Sequence, residues 1–155
     1  MRVVSWREAA AELSAVRRAV FIEEQDVPEE LEWDGEDETA IHVLASDEQG
    51  NPIGCGRLLM HEALGHIGRM AVNKAWRGRK AGSTILRMLM DTAHERGCSK
   101  LLLNAQTNAV SFYQRFGFRP EGEEFLDAGI PHYRMTRHMR LISRLSDSCP
   151  PNQSR

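Results

Sequence analysis

The stretch Ile67-Gly68-Arg69-Met70-Ala71-Val72-Asn73-Lys74-Ala75-Trp76-Arg77-Gly78-Arg79-Lys80-Ala81-Gly82 decides the fold. An apolar, strand-like run breaks into a short glycine-bearing basic turn, and a long helix-compatible segment follows at once. Strand, turn and helix N-terminus together form an anion cradle, because unpaired backbone N–H groups and the positive end of the helix dipole converge on one point. A phosphorylated ligand is the expected occupant. A glycine-permitted strand-to-helix turn with solvated charges is the competing reading of the turn taken alone.

Working outward, the segment after the turn carries Ile85, Leu86, Leu89, Met90 and Ala93 at helical spacing between Ser83 and Arg96, with Gly97 as its C-cap. Lys100 to Ala105 reads as a buried strand. A second helix from about Asn108 to Phe116 ends at Gly117, and Phe118 opens a last hairpin whose returning strand is Tyr133 to Arg137. On the N-terminal side, His66 to Val72 is the third strand of a meander. Ala40 to Ser46 and Pro52 to Met60 precede it, joined by the turn residues Asp47 to Asn51, with Gly54 and Gly56 marking a bulge. Ser5-Trp6-Arg7-Glu8 fits a capping box and starts a first helix that runs to about Val20. The expected architecture is one α/β domain over residues 1–142, a mixed and mostly antiparallel twisted sheet flanked by helices. Residues 143–155, polar and proline-bearing, read as a disordered tail.

Composition narrows the function. A length of 155 residues fits one domain and one active site. No apolar run approaches the ~20 residues of a membrane span, and the N-terminus lacks a signal-peptide core, so the expectation is a cytoplasmic protein without membrane association. Cys55, Cys98 and Cys149 include no C-x-x-C pair, which argues against a disulfide frame and against zinc. From Glu23 to Glu38 ten of sixteen residues are acidic, leaving twenty basic against twelve acidic residues elsewhere. With dispersed basic residues and only 6% aromatics, this pattern does not fit a nucleic-acid protein. A calcium loop starting at Asp34 fails because its sixth position is Thr39 and its twelfth Ala45. His61-Glu62-Ala63-Leu64-Gly65-His66 spaces its histidines wrongly for H-E-x-x-H and reads as a hairpin turn. No metal site is expected.

The turn Arg77-Gly78-Arg79-Lys80-Ala81-Gly82 is neither a Walker loop nor G-x-G-x-x-G. It resembles motif A, Q/R-x-x-G-x-G/A, of the GCN5-related N-acetyltransferase (GNAT) superfamily, with Arg77 and Gly82 at the first and last positions and Lys80 in place of the inner glycine. Asn108-Ala109-Val110-Ser111-Phe112-Tyr113-Gln114-Arg115-Phe116-Gly117-Phe118 resembles its motif B, A-x-x-x-Y-x-x-x-G-F. Helical spacing puts Phe112 and Phe116 on one core-facing stripe and turns Tyr113 about 100° away. Arg17 to Gln25, Asp34-Gly35 with Asp37, His42, Asn104-Ala105-Gln106 and Gly129-Ile130-Pro131-His132 resemble the ElaA-like branch.

The resemblance implies acetyl transfer from acetyl-CoA to a primary amine by direct attack. It implies cosubstrate contacts from Met70, Ala71 and Val72, from Arg77, Gly78, Arg79, Lys80, Ala81, Gly82 and Ser83, and from Asn108 and Phe112. Tyr113 is the implied acid for the departing thiolate. An amine protonated near neutral pH needs a base, for which Glu24, His42 and His132 are the candidates. The acidic stretch is read as a negative mouth for a cationic amine, with a solvated charge run as the plainer explanation. A non-catalytic acyl-CoA sensor is the alternative function, and a homodimer is left open.

Overall fold

The computed structural model describes residues 1–140, and the expected tail at 143–155 lies outside them. Seven strands form one sheet in the order β1-β2-β3-β4-β5-β7-β6. They span Arg2–Val4 (β1), Ile41–Ser46 (β2), Pro52–His61 (β3), Leu64–Val72 (β4), Lys100–Gln106 (β5), Arg119–Asp127 (β6) and Ile130–His138 (β7). Only the β4–β5 pair is parallel. Its crossover is the helix α3, Ala81–Glu95, which the anion-cradle reading anticipated. Helix α1, Trp6–Arg17, starts where expected, the Ser5 side chain accepting the Glu8 amide. Its chain then runs on in wider π-type turns through Arg18–Glu24. A short helix α2, Glu29–Glu32, and a 3₁₀ turn, Asp37–Thr39, follow in the acidic stretch. Helix α4 covers Val110–Gln114 after a 3₁₀ turn at Thr107–Ala109. No helix among the described residues is long and apolar enough to cross a membrane.

Two layers of core cover the sheet. Ile85, Leu86, Leu89 and Ala93 of α3 pack on Val43, Leu58, Ile67, Leu101 and Leu103, while Leu13, Val16 and Val20 cover Leu44, Cys55 and Ala71 on the opposite face. Gly56 lets α3 approach closely. A Cβ there would stand 2.6 Å from Leu89 Cδ1 and 2.8 Å from Ile85 Cγ2, closer than van der Waals contact permits.

The expected bulge is therefore only partly where the glycines suggested. Beside Gly54 the extra residue is Ile53 of β3 against β2. At Gly56 the extra residue belongs to β4. Cys55 pairs with Ala71 and Arg57 with Gly68, so Arg69 and Met70 share one place opposite Gly56, and Arg69 takes φ 50°. Gly56 serves packing while its neighbour strand bends.

Candidate active site

Beyond Ile67↔Leu103 the β4–β5 ladder stops, although β4 continues to Val72 and β5 to Gln106. The two strands part, and a cleft of about 400 Å³ opens between them. On the side of β4 that faces the gap, the backbone from Gly68 to Val72 has no strand to pair with. That is an edge able to receive an extended ligand. Met70, at the bulge, lines the cleft with Asn104, Gln106, Tyr113 and His132. Gln106 Nε2 donates to Gln25 Oε1 at 2.8 Å, tying the end of β5 to the segment after α1.

Just past β4, the turn Arg77–Lys80 leads into α3, a 15-residue helix without a side-chain N-cap. Its first internal bond is Thr84 N to Lys80 O at 3.1 Å, which leaves the amides of Ala81, Gly82 and Ser83 as free donors. Lys80 sits at φ 64°, ψ 12°, in the left-handed conformation the motif's glycine would take, so the loop path survives the substitution at a cost of about 1–2 kcal/mol. Uncapped donors, a helix dipole and two cationic side chains, Arg79 and Lys80, suit the pyrophosphate of an acyl-CoA.

The acetyltransferase (GNAT) domain model matches residues 8–139. The chain belongs to the GNAT acetyltransferase family, in its ElaA-like branch. This GNAT chain is 42% identical over 123 residues to the uncharacterized N-acetyltransferase YjcF of Bacillus subtilis, covering 79% of this chain and 87% of that one. It is 31% identical over 144 residues to ElaA of Escherichia coli, covering 82% and 86%. The crystal structure of Escherichia coli ElaA superposes with TM-score 0.79 at 30% identity, covering 88% of this chain and 97% of that chain. An acyl-CoA N-acyltransferase from Pseudomonas aeruginosa gives 0.79 at 28%, with the same coverage. The enzyme class is that of acyl-CoA-dependent acetyltransferases.

Within this GNAT chain Tyr113 is buried, and burial pushes its phenol up to about 12. It is held as a proton donor at neutral pH. The helix-stripe expectation is corrected here: Tyr113 joins the core, while Phe112 and Phe116 are only partly buried. Phe112 instead faces the cradle, 3.8 Å from where a Gly82 Cβ would lie. Ser83 turns away from the cleft, and Asn108 is exposed in the 3₁₀ turn after β5. Ala71 is buried against the α1 layer, and the Val72 carbonyl accepts Arg77 Nε at 3.0 Å.

Two of the three expected bases are corrected. Glu24 is bound at both oxygens by Arg77, at 2.5 and 2.7 Å. The hydrogen bonds from Arg77 lower its pKa, and it does not line the cleft. The same pair occupies the Arg77 guanidinium, so the cradle's donors are backbone amides rather than that side chain. His42 is 1% exposed, packs on Trp6, and donates from Nε2 to the Asp37 carbonyl at 2.9 Å. Burial lowers its pKa, and it too is absent from the cleft wall. His132 does line the cleft. It stacks on Phe125, and its Nδ1–H donates to the Ile130 carbonyl at 2.6 Å, which leaves Nε2 as the proton acceptor.

Half of the ten carboxylates in the acidic stretch, Glu24, Glu29, Glu32, Asp34 and Asp37, are held by arginines. Arg17 binds Glu32 at 2.7 Å and Asp37 at 2.6 Å, and Arg57 binds Asp34 at 2.8 Å and Asp37 at 3.1 Å. Arg69 reaches Glu32 and Asp34, each at 3.2 Å, and Arg18 holds Glu29. This network clamps the stretch over the cleft and anchors the β4 bulge through Arg69. The cleft wall still carries four carboxylates, Glu32, Asp34, Glu36 and Asp127, against Arg57 and Arg69. Among the described residues, neither Glu36 nor Asp127 has a cationic partner.

His66 is the residue sequence reading missed. It lies on β4 and lines the cleft, and burial and the Arg57 charge lower its pKa. The hairpin turn is at Glu62–Ala63, so His66 belongs to the strand. Its alternation with Gly68 was the available signal.

Proposed function

We propose that the chain acetylates a primary amine of a small molecule or peptide by direct attack within a ternary complex with acetyl-CoA. The observation that carries the reading is the convergence of the open β4 edge, Tyr113 and His132 on one cleft beside an uncapped helix N-terminus. Acetyl-CoA supplies the activated acyl group. The free amides of α3 hold its pyrophosphate, and the open edge of β4 pairs with the pantetheine arm. The bulge region around Met70 offers the amides that polarise the thioester carbonyl. His132 Nε2 accepts the ammonium proton, directly or through water, and frees the lone pair that attacks. Tyr113 donates its proton to the departing thiolate. Glu36 and Asp127 favour a cationic acceptor.

Cys55 and Cys98 are free and buried, and burial pushes the Cys55 thiol up to about 12. Neither is an acyl-carrying nucleophile in this scheme, and two reduced thiols suit a cytoplasmic site of action. Thiol release from acetyl-CoA, measured against a panel of polyamines, amino sugars and peptides, tests the proposal. Turnover with one amine class supports it, and tight binding with no turnover on any amine favours a sensor.

A further inference from the structure

Among the described residues, Gly68 is the one glycine of the sheet that the protein's own packing does not explain. At Gly54, Gly56 and Gly65 a Cβ would come within 2.9, 2.6 and 2.8 Å of core side chains, and Gly122 takes φ 77°. Gly68 has neither reason. Its φ lies outside the left-handed region, and beyond its chain neighbours no protein atom stands within 4 Å of where its Cβ would be. Since Gly68 lines the cleft, a side chain there would enter space that the fold leaves open.

Strand alternation fixes what surrounds that space. Ile67 and Leu103 are buried in the core under α3, so His66, Gly68 and Asn104 face the other way, into the cleft that all three line. Gly68 pairs with Arg57 of β3 and Asn104 with Arg134 of β7, while Ile67↔Leu103 sets Gly68 level with Asn104. The row across the sheet is Arg57, Gly68, Asn104, Arg134, with His66 two residues before Gly68 on the same face. The bare glycine is a notch between longer polar side chains.

Those side chains differ in how they are satisfied. Arg57 is engaged by Asp34 and Asp37. The Asn104 amide and both ring nitrogens of His66 make no hydrogen bond to a described residue. Burial and the Arg57 charge lower the His66 pKa, which favours the neutral ring, a donor at one nitrogen and an acceptor at the other. Both free groups therefore donate and accept. A charge of either sign fits the notch poorly. A second ammonium would lie between the guanidinium groups of Arg57 and Arg134, and a carboxylate would face Asp34 and Glu36 on the cleft wall.

We infer that this notch selects the acceptor: the primary amine carries a neutral group that both donates and accepts hydrogen bonds, a hydroxyl or an amide, seated over Gly68 between Asn104 and His66. The inference rests on the acetyl-transfer reading above. Gly68 and Met70 are two residues apart, about 7 Å of strand at most, so a short alkyl chain joins the amine reacting at the bulge to the group over Gly68. An amino alcohol or amino sugar would supply the hydroxyl, and a peptide the amide.

Steady-state acetylation of a series matched in chain length tests this, with butylamine, aminobutanol, aminobutanamide, diaminobutane and aminobutanoate as acceptors. Aminobutanol or aminobutanamide should exceed butylamine about tenfold in kcat/KM and should also lead diaminobutane and aminobutanoate. Whichever of the two leads tells hydroxyl from amide. In Asn104→Leu, an exposed position, and in Gly68→Val, the tenfold ratio should fall toward one. Urea unfolding of both variants checks the fold, and Asn104→Leu decides alone should Gly68→Val fail to fold. Butylamine equal to the neutral polar amines, a lead for the diamine or the carboxylate, or a wild-type ratio that survives Asn104→Leu overturns the notch and leaves acetyl transfer standing. Turnover of no amine, in this series or the wider panel, overturns both.

Discussion

Glu24 grips Arg77 at two points, Oε1 to Nη1 at 2.5 Å and Oε2 to Nη2 at 2.7 Å, across 53 residues of chain. The pair joins the end of the π-type turns to the loop that enters α3. It turns a carboxylate expected to act as a base, and an arginine expected to bind pyrophosphate, into a brace for the cradle. Both side chains are partly exposed, at 35% and 40%, so the contribution is modest. Glu24→Gln should raise KM for acetyl-CoA by no more than about fivefold, with kcat nearly unchanged. Steady-state kinetics separates this from loss of a general base, which would lower kcat by about 10²–10⁴.

The two histidines divide in the same way. His132→Gln should lower kcat by about 10²–10⁴ at neutral pH with little change in CoA affinity. His42→Gln should leave kcat near wild type and destabilise the fold by about 1–3 kcal/mol, because the Asp37 carbonyl and the Trp6 ring lose a fitted partner. Kinetics paired with urea unfolding distinguishes them, and the reverse assignment of effects would sink the choice of His132.

Tyr113→Phe removes a phenol and keeps the ring packed at 5.0 Å from Phe112 and 6.1 Å from Phe118. Fold and CoA affinity should hold while kcat drops about 10²-fold or more. Since burial keeps the wild-type phenol at about 12, Tyr113 should stay protonated through mildly alkaline pH. The pH profile of kcat should show no alkaline loss traceable to this residue there.

Acid stability follows from the clamped segment. Burial disfavours ionisation of Asp34, but the Arg57 hydrogen bonds, the Glu36 amide and the Arg69 charge outweigh it and hold the carboxyl at about 2, below its ordinary 3.8. A depressed carboxyl stabilises the fold above its unfolded pKa, and that stability is lost as pH falls through the folded value. The urea midpoint should therefore decline between pH 3.8 and about 2, and Asp34→Asn should flatten that decline. Asp37→Ala takes one of two carboxylate partners from each of Arg17 and Arg57, both nearly buried, and should cost about 1–3 kcal/mol.

These residues mark the boundary of what the chain reveals before it is folded. Helix α3, its Gly97 stop, the Asp47–Asn51 turn and both motifs were legible, because each depends on neighbours within a few positions. Strand β1, only Arg2–Val4, is too short to show a period and exists by pairing with β2. The parting of β4 from β5 is a property of a strand pair, so neither strand announces it. The acidic stretch looked like a negative mouth because its counter-charges, Arg17, Arg57 and Arg69, lie 15 to 37 positions away. Lys80 in the left-handed region breaks a local rule that only the surrounding loop can enforce.

The central claim is direct transfer in a ternary complex, with no acyl-enzyme. The measurement is thiol release from acetyl-CoA with and without a turned-over amine, with intact-protein mass recorded on the same samples. Direct transfer predicts thiol only when the amine is present and an unchanged protein mass throughout. A burst of thiol without amine, together with an added acetyl mass on the chain, would contradict it.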